Sequence, residues 1–313
     1  LSTVKTPLEP ADDAGTTSVQ LALNWYPDAQ HGGFFAADEL GIYAKRNLRV
    51  KILPGQPAVP VLQNVAMKRV EFGVANADQV LMARAQGMPV VAVFAAMQTS
   101  PRCIMVHRES GISSLRDLKD ITLSLGAGKG FATFLEKGGY LSRVKVVPYT
   151  GSVAPFMVDK SFAQQAYVFS EPLVVRNEGA DPVTLLVSEL GFDPYTSCLI
   201  THEDTIRTRP ELVRAMVQAT QVGWTTYFKD AAKTHERILR ENKQMDLASL
   251  NFGQEALRTL CLPPDTPHDT IGRMDATRWE TLAKQLVELG LIDDASAWQS
   301  AFDLRFLAVD PQP

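Results

Sequence analysis

Hydrophobic and polar positions along this chain change period repeatedly, and each change marks an element. Val19, Leu21 and Leu23 alternate with polar neighbours, the two-residue period of a strand. Pro27 and the Gly32-Gly33 pair interrupt it, and a helix is predicted from about Phe34, ending in Leu40-Gly41-Ile42-Tyr43. Leu48, Val50 and Ile52 share one face of a strand over 48–53; Asn47 before it tolerates the left-handed backbone of a tight turn. Residues 54–60 read as a loop, 61–68 as a helix, 71–75 as a buried strand, 78–86 as a helix stopped by Gly87 and Pro89, and 90–96 as an apolar strand. This βαβαβ order predicts a parallel sheet buried on both faces.

Beyond a further strand near 103–107 the pattern starts again. A short helix capped around 113–118, a strand over 121–125, a helix over 131–141, a strand over 144–147, a helix over 153–162 and a strand over 166–169 are expected. A strand at 198–201 then leads to a long helix from Pro210, with Arg209 or Thr208 as cap and Val213, Met216, Val217, Thr220 and Trp224 on one face. The rest reads as helical, ending in 279–289 and a short helix near 297–302. Two α/β lobes joined by two crossings, near 104–107 and 198–201, account for this order better than one sheet. The expected division is a flexible leader over 1–18, a first lobe from 19–104 and 200–313, and a second lobe, 105–199, inserted into the first. Such a pair closes about hinges on a ligand held between the lobes.

Composition narrows the function. At 313 residues the chain exceeds the size at which a single core stops growing. With 45% hydrophobic and 21% charged residues and a net charge of -4, it has no basic footprint for nucleic acid. The longest apolar runs, such as 89–97, are too short to span a bilayer. Residues 1–18, rich in Thr, Pro, Asp and Ala, are expected to be what remains after a signal or anchor is removed. Cys103, Cys198 and Cys261 lack CxxC spacing and read as separate buried thiols. The five histidines, His31, His107, His202, His235 and His268, show no metal spacing, and neither GxSxG nor HExxH occurs, so no metal, cofactor or catalytic residue is assigned.

The chemistry concentrates where the first strand meets its helix, in Asn24-Trp25-Tyr26-Pro27-Asp28-Ala29-Gln30-His31. An indole, a phenol and an imidazole lie together at a strand end, where ligands bind open α/β sheets. His31 reads either as a ligand contact or as a helix-capping group. Asn76 and Asp78 suit the N-terminal turn of the next helix, a capping role that can coexist with ligand contact. Gly126-Ala127-Gly128-Lys129-Gly130 is not a nucleotide-binding P-loop, because Leu123 and Gly130 stand where that pattern needs Gly and Ser or Thr. It reads either as a plain turn or as a helix start offering N–H groups and an ammonium to an anion. Glu171, before Pro172, is a helix-start acid favoured by the dipole or a ligand carboxylate.

Three stretches, LNWYPDAQHGGFFAADELGIYAKRNLRVKI, VEFGVANADQVLMARAQGMPVVAVFA and AYVFSEPLVVRNEG, together resemble the thiamine-pyrimidine-precursor-binding and pyrimidine-synthase-like family of ABC-transporter solute-binding proteins. The resemblance runs over about residues 19–230 and implies an α/β, two-lobed periplasmic-binding-protein type II fold, each lobe a mainly parallel sheet flanked by helices. It implies that Asn24 and Trp25 end the first strand with the indole stacked on a flat heterocycle, a contact worth about 0.5–1.5 kcal/mol beyond area burial. It also places His31, the cleft residues Asn76, Asp78 and Gln79, the loop of Gly126 and Lys129, and Glu171 at the ligand. Tyr195 is expected as a second aromatic wall.

The resemblance has two branches, and departures from it separate them. Fungal synthases of the family hold pyridoxal phosphate on a Lys and consume a His; the matching positions here are Ala75 and Gln79, which can do neither. Binding without chemistry is therefore expected. The expected protein is a monomeric, extracytoplasmic solute-binding protein, periplasmic or lipid-anchored, delivering a small heterocycle to an ABC permease. A thiamine pyrimidine precursor ranks first among its ligands, a flavin second and an alkylsulfonate third.

Overall fold

The computed structural model of the chain describes residues 15–56, 59–263 and 271–308. In chain order its elements are β1 (Thr17–Ala22), α1 (Gly32–Glu39), β2 (Leu48–Leu53), α2 (Val61–Ala66), β3 (Phe72–Ala75), α3 (Ala77–Ala85), β4 (Val90–Met97), β5 (Arg102–His107), β6 (Ile121–Leu125), α4 (Gly130–Lys137) and β7 (Val144–Pro148). There follow α5 (Ala154–Val158), β8 (Phe162–Tyr167), α6 (Glu171–Asn177), β9 (Pro182–Leu186), β10 (Thr196–His202), α7 (Glu203–Thr208), α8 (Pro210–Lys229), α9 (Ala232–Glu241), α10 (Leu247–Cys261) and α11 (Ala276–Glu288). Most of the leader expected over 1–18, and His268, lie outside the described residues; Thr17 and Ser18 already belong to β1.

The strands form two five-stranded sheets, ordered β2-β1-β3-β10-β4 and β7-β6-β8-β5-β9. In each, one strand opposes the rest: β10 is antiparallel to β3 and β4, and β5 is antiparallel to β8 and β9. These are the two strands that the chain enters on passing from one sheet to the other. The remaining strands, read as βαβ units, run parallel as their crossover helices require.

Hydrophobic alternation sorts each sheet's faces. In the first sheet, Leu21, Phe72, Val74 and Phe94 pack with α1, α8 and α10, whereas Ala22, Ala75, Ala92 and Ile200 pack on the side of α2, α3 and α11. In the second, Ile104, Val106, Leu123 and Ala163 face α4, and Cys103, Met105 and Ala166 face Phe156 of α5 and Val175 of α6. Phe192, Tyr195 and Trp279 join the two sheets into one continuous apolar cluster along the crossings. The crossings are also tied by polar contacts: Asp193 Oδ1 accepts from the Ser100 N–H at 2.7 Å, and Arg278 donates to Asp193 Oδ2 at 3.0 Å.

Three expectations about elements need correction. The helix after β1 starts at Gly32, not Phe34, because both glycines are inside it: a Cβ on Gly32 or Gly33 would sit 2.2 Å from the Tyr227 or Trp224 ring, so their bareness lets α8 approach. The strand expected at 166–169 is β8, beginning at Phe162, and the helix before it is only α5; Gln164 and Gln165 hid a strand that is buried nonetheless. β9 was not anticipated, since it opens on Pro182 at the sheet edge, where a missing N–H costs no ladder bond. Asn47 is left-handed as expected, with φ 56°, and the three thiols are buried and free.

Candidate functional site

The C-terminal ends of β3, β6 and β8 meet between the sheets, where Asn76 hydrogen-bonds Tyr167 and Asp78 faces Gly130; the C-terminal ends of parallel strands are where α/β folds bind ligands. β1 and β3 run in register with Ala22 opposite Gly73, so Trp25 leaves the first sheet at the level of Asn76. From the second sheet come the Gly126 loop after β6, Tyr149 after β7, and the 168–171 turn after β8. Arg102, first residue of the opposed strand β5, pairs with Tyr167 at that same edge.

Trp25 and Tyr26 are the two large aromatic side chains left exposed there, at 41% and 42%, and their rings meet edge to face at 5.5 Å. Behind them, Asn24 is held rather than free. His31 Nε2 hydrogen-bonds Asn24 Oδ1 at 3.1 Å, and its Nδ1 lies 3.4 Å from Asp28. His31 is fully buried at the start of α1. The ligand-contact reading of His31 is thus corrected: it aims Asn24.

Asn76 bridges the lobes. Its Oδ1 accepts from the Ser197 N–H at 3.3 Å and its Nδ2 donates to Tyr167 Oη at 3.4 Å, while Gln79 Oε1 accepts from the Asn76 N–H at 3.0 Å. Gln79 is therefore a capping group. Ser197 holds φ 53° inside β10, a strained backbone beside the site. Asp78, in the first turn of α3, turns toward the second lobe: a Cβ on Gly130 would stand 3.1 Å from Asp78 Oδ2, and Asp78 Oδ1 is buried with no hydrogen-bond partner among the described residues. Burial raises the Asp78 pKa, against the pull of Arg102 and Lys129.

On the second lobe, Gln165 Oε1 accepts from the Gly126 N–H at 2.7 Å and shapes the loop, whose left-handed bend falls at Gly128 (φ 70°). Lys129 is exposed at the N-cap of α4. Glu171 Oε1 accepts from the Tyr149 hydroxyl and Oε2 from the Tyr167 N–H, both at 2.9 Å. Each oxygen keeps a further lone pair for a donor. Burial, then the nearby Glu171 charge, pushes the Tyr149 phenol up, so it stays a neutral donor.

Tyr195 does not form the second wall. It is 3% exposed, its ring lies under the Arg278 guanidinium at 3.9 Å and beside Trp279, and its hydroxyl accepts from the Asp275 N–H at 2.8 Å. It packs the crossings, and Tyr149 and Tyr167 stand at the edge in its place.

A match to the family described as NMT1/THI5 like spans residues 28–233. The chain belongs to this family. Over 95% of its length it is 26% identical to the riboflavin-binding protein RibY of Chloroflexus aurantiacus, covering 89% of that protein. It is 23% identical to the formylaminopyrimidine-binding protein of Halalkalibacterium halodurans, covering 88% of this chain and 86% of that one. It is 32% identical to the 4-amino-5-hydroxymethyl-2-methylpyrimidine phosphate synthase of Legionella pneumophila, over 94% and 93% of the two chains. The periplasmic aliphatic sulphonate binding protein SsuA of Escherichia coli superposes with a TM-score of 0.70 at 12% identity, over 91% of each chain. The fold is that of type II periplasmic binding proteins.

Within this NMT1/THI5-like chain, sequence reasoning missed Arg102, Tyr149, Tyr167 and Gln165. Tyr149 carried a usable signal, since it follows a parallel strand and opens a Thr-Gly-Ser turn. Arg102 offered a weaker one, a lone cation opening a buried strand.

Proposed function

We propose that this protein is the extracytoplasmic solute-binding component of an ABC importer, capturing a small flat heterocycle and handing it to a membrane permease without transforming it. The observation that carries this reading is the exposed Trp25-Tyr26 pair at the end of β1, beside β3, whose following residue Asn76 hydrogen-bonds Tyr167 of the other sheet. An aromatic face binds a ring, and a carboxylate with spare lone pairs reads an exocyclic amine. The first ligand is a thiamine pyrimidine precursor, hydroxymethyl- or formylaminomethyl-pyrimidine, a reading the formylaminopyrimidine-binding relative supports. A flavin is the alternative, favoured by the RibY relative and by the two adjoining aromatic rings.

The two lobes, one built on each sheet, with β5 the strand by which the chain enters the second and β10 the strand by which it returns to the first, close on the ligand about the crossings that Asp193 ties together. Asn24, Trp25, Asn76, Asp78, Lys129 and Glu171 are the residues assigned to that cleft, with Arg102, Tyr149 and Tyr167 added to them. The protein acts as a monomer. In the described residues no helix is long and apolar enough to cross a membrane.

A synthase-named relative makes the absence of chemistry a question to test. Ala75 is a buried methyl and Gln79 is committed to the Asn76 N–H, so neither of these two positions offers an amine for an imine or an imidazole. Pyridoxal phosphate followed by borohydride is expected to leave no adduct in the cleft; a reduced adduct mapped to a cleft lysine would sink the pure-binding reading. A thermal-shift screen of pyrimidines, flavins and sulfonates identifies the ligand, because one present at a hundred times its Kd stabilises by about 2.7 kcal/mol.

A further inference from the structure

Arg102 is a charged group at the cleft that ring capture alone leaves unused. Its guanidinium carbon lies 4.1 Å from the centre of the Tyr167 ring and 4.6 Å from that of Phe131, so two aromatic residues hold the stem and fork in place. The Arg102 backbone N–H is engaged with Ser100 Oγ, but among the described residues the guanidinium makes no hydrogen bond or ion pair. A guanidinium presents five N–H donors, and a partly buried one is ordinarily matched by an acceptor.

The nearby carboxylates do not match it. Among the described residues neither Glu171, which accepts from the Tyr149 hydroxyl and the Tyr167 N–H, nor Asp78, whose Oδ2 faces Gly130, hydrogen-bonds the guanidinium. Burial raises the Asp78 pKa by more than the Arg102 charge lowers it. Phe131, under the guanidinium, is the second residue of α4, so the open N–H groups of that helix start beside Arg102, and Lys129, which like Arg102 acts on Asp78, stands at the N-cap of the same turn. A planar fork, a helix N-terminus and an ammonium meeting at one end of a cleft form a receptor for an oxyanion.

We propose that Arg102 is a specificity-determining residue that receives an oxyanion carried by the ring ligand, so that the preferred cargo is an acidic heterocycle, such as a phosphate ester, over its neutral alcohol. This rests on the reading of the cleft as a ring-binding site. In it, Trp25 takes the ring, Glu171 reads the amine and Arg102 reads the charge.

The test uses matched pairs that differ only in a phosphate: 4-amino-5-hydroxymethyl-2-methylpyrimidine against its monophosphate, and riboflavin against its 5′-phosphate, titrated calorimetrically into the full chain. The phosphate member is expected to bind about 10-fold more tightly or better, a ratio worth about 1.4 kcal/mol. Arg102→Gln should bring the pair within about 3-fold, with the larger loss falling on the phosphate member. Arg102→Met, which keeps an apolar stem between the two rings, gives the same readout should the Gln variant not fold. Equal binding of both members by the natural sequence, or a phosphate preference that survives either folded variant, overturns the assignment and leaves the ring-binding reading standing. Inorganic phosphate separates the two ideas from the other side. If no ring compound binds, yet phosphate raises the melting temperature of the natural chain and not of Arg102→Gln, the oxyanion site stands and the heterocycle reading falls.

Discussion

At the scale of single residues, the site divides into side chains that touch solvent and side chains that aim them. Trp25 is 41% exposed, so little packing is lost on truncation. Trp25→Ala is expected to leave stability within about 0.5 kcal/mol and to weaken ring binding by about 10-fold or more, measured by denaturant melts beside calorimetry. Unchanged affinity would remove Trp25 from the site. Glu171→Gln keeps one acceptor oxygen and puts an NH2 in place of the other, so aminopyrimidines should lose far more affinity than flavins; equal losses would mark Glu171 as structural. Asp78 gives a pH test. Its folded pKa is raised by burial above the ordinary 3.8, so its contribution to stability is full below 3.8 and is lost as pH rises through the folded value. Asp78→Asn should remove that decline from urea midpoints taken upward from pH 4, and a natural chain with no such decline would contradict the raised pKa.

Among elements, the contact between α1 and α8 shows how a sequence feature can be recognised and still be misplaced. Gly32 and Gly33 read as breakers, yet both lie within α1, where the rings of Tyr227 and Trp224 occupy the space that side chains would take. Gly33→Ala should destabilise the fold by about 1–3 kcal/mol or more, through overpacking against Trp224, read from the shift in denaturant midpoint. The same pair matters to function because α1 begins at His31, which fixes Asn24. β8 is the converse case. Gln164 and Gln165 break the apolar pattern of a strand whose neighbours β5 and β6 bury it from both edges, and Gln165 there supports the Gly126 loop.

Across the whole molecule, the crossings decide whether two lobes act as one receptor. Asp193 accepts from the Ser100 N–H on one crossing and from Arg278 of α11, and burial raises its pKa. Asp193→Ala would leave the Ser100 N–H without its acceptor and the Arg278 fork with only the carbonyl of residue 193. A loss of about 1–3 kcal/mol in stability is expected, with weaker ligand binding as closure becomes less well defined; small-angle scattering with and without ligand reads the second effect. The continuous apolar cluster through Phe192, Tyr195 and Trp279 opposes free separation of the lobes at the crossings.

The amino-acid sequence by itself determined what depends on local periodicity and turn chemistry: the βαβ units, the long amphipathic α8, the left-handed Asn47, the buried thiols, and Asn24-Trp25 at a strand end. Tertiary structure alone decided what depends on which distant segments share a strand edge. Arg102 gains its meaning from Tyr167 and Phe131, residues brought beside it by an antiparallel pairing and a helix start, and Tyr195 loses its place at the ligand because Arg278 and Trp279 arrive from the C-terminal helix to cover it. Periodicity is a property of neighbours along the chain; a receptor is made by neighbours in space.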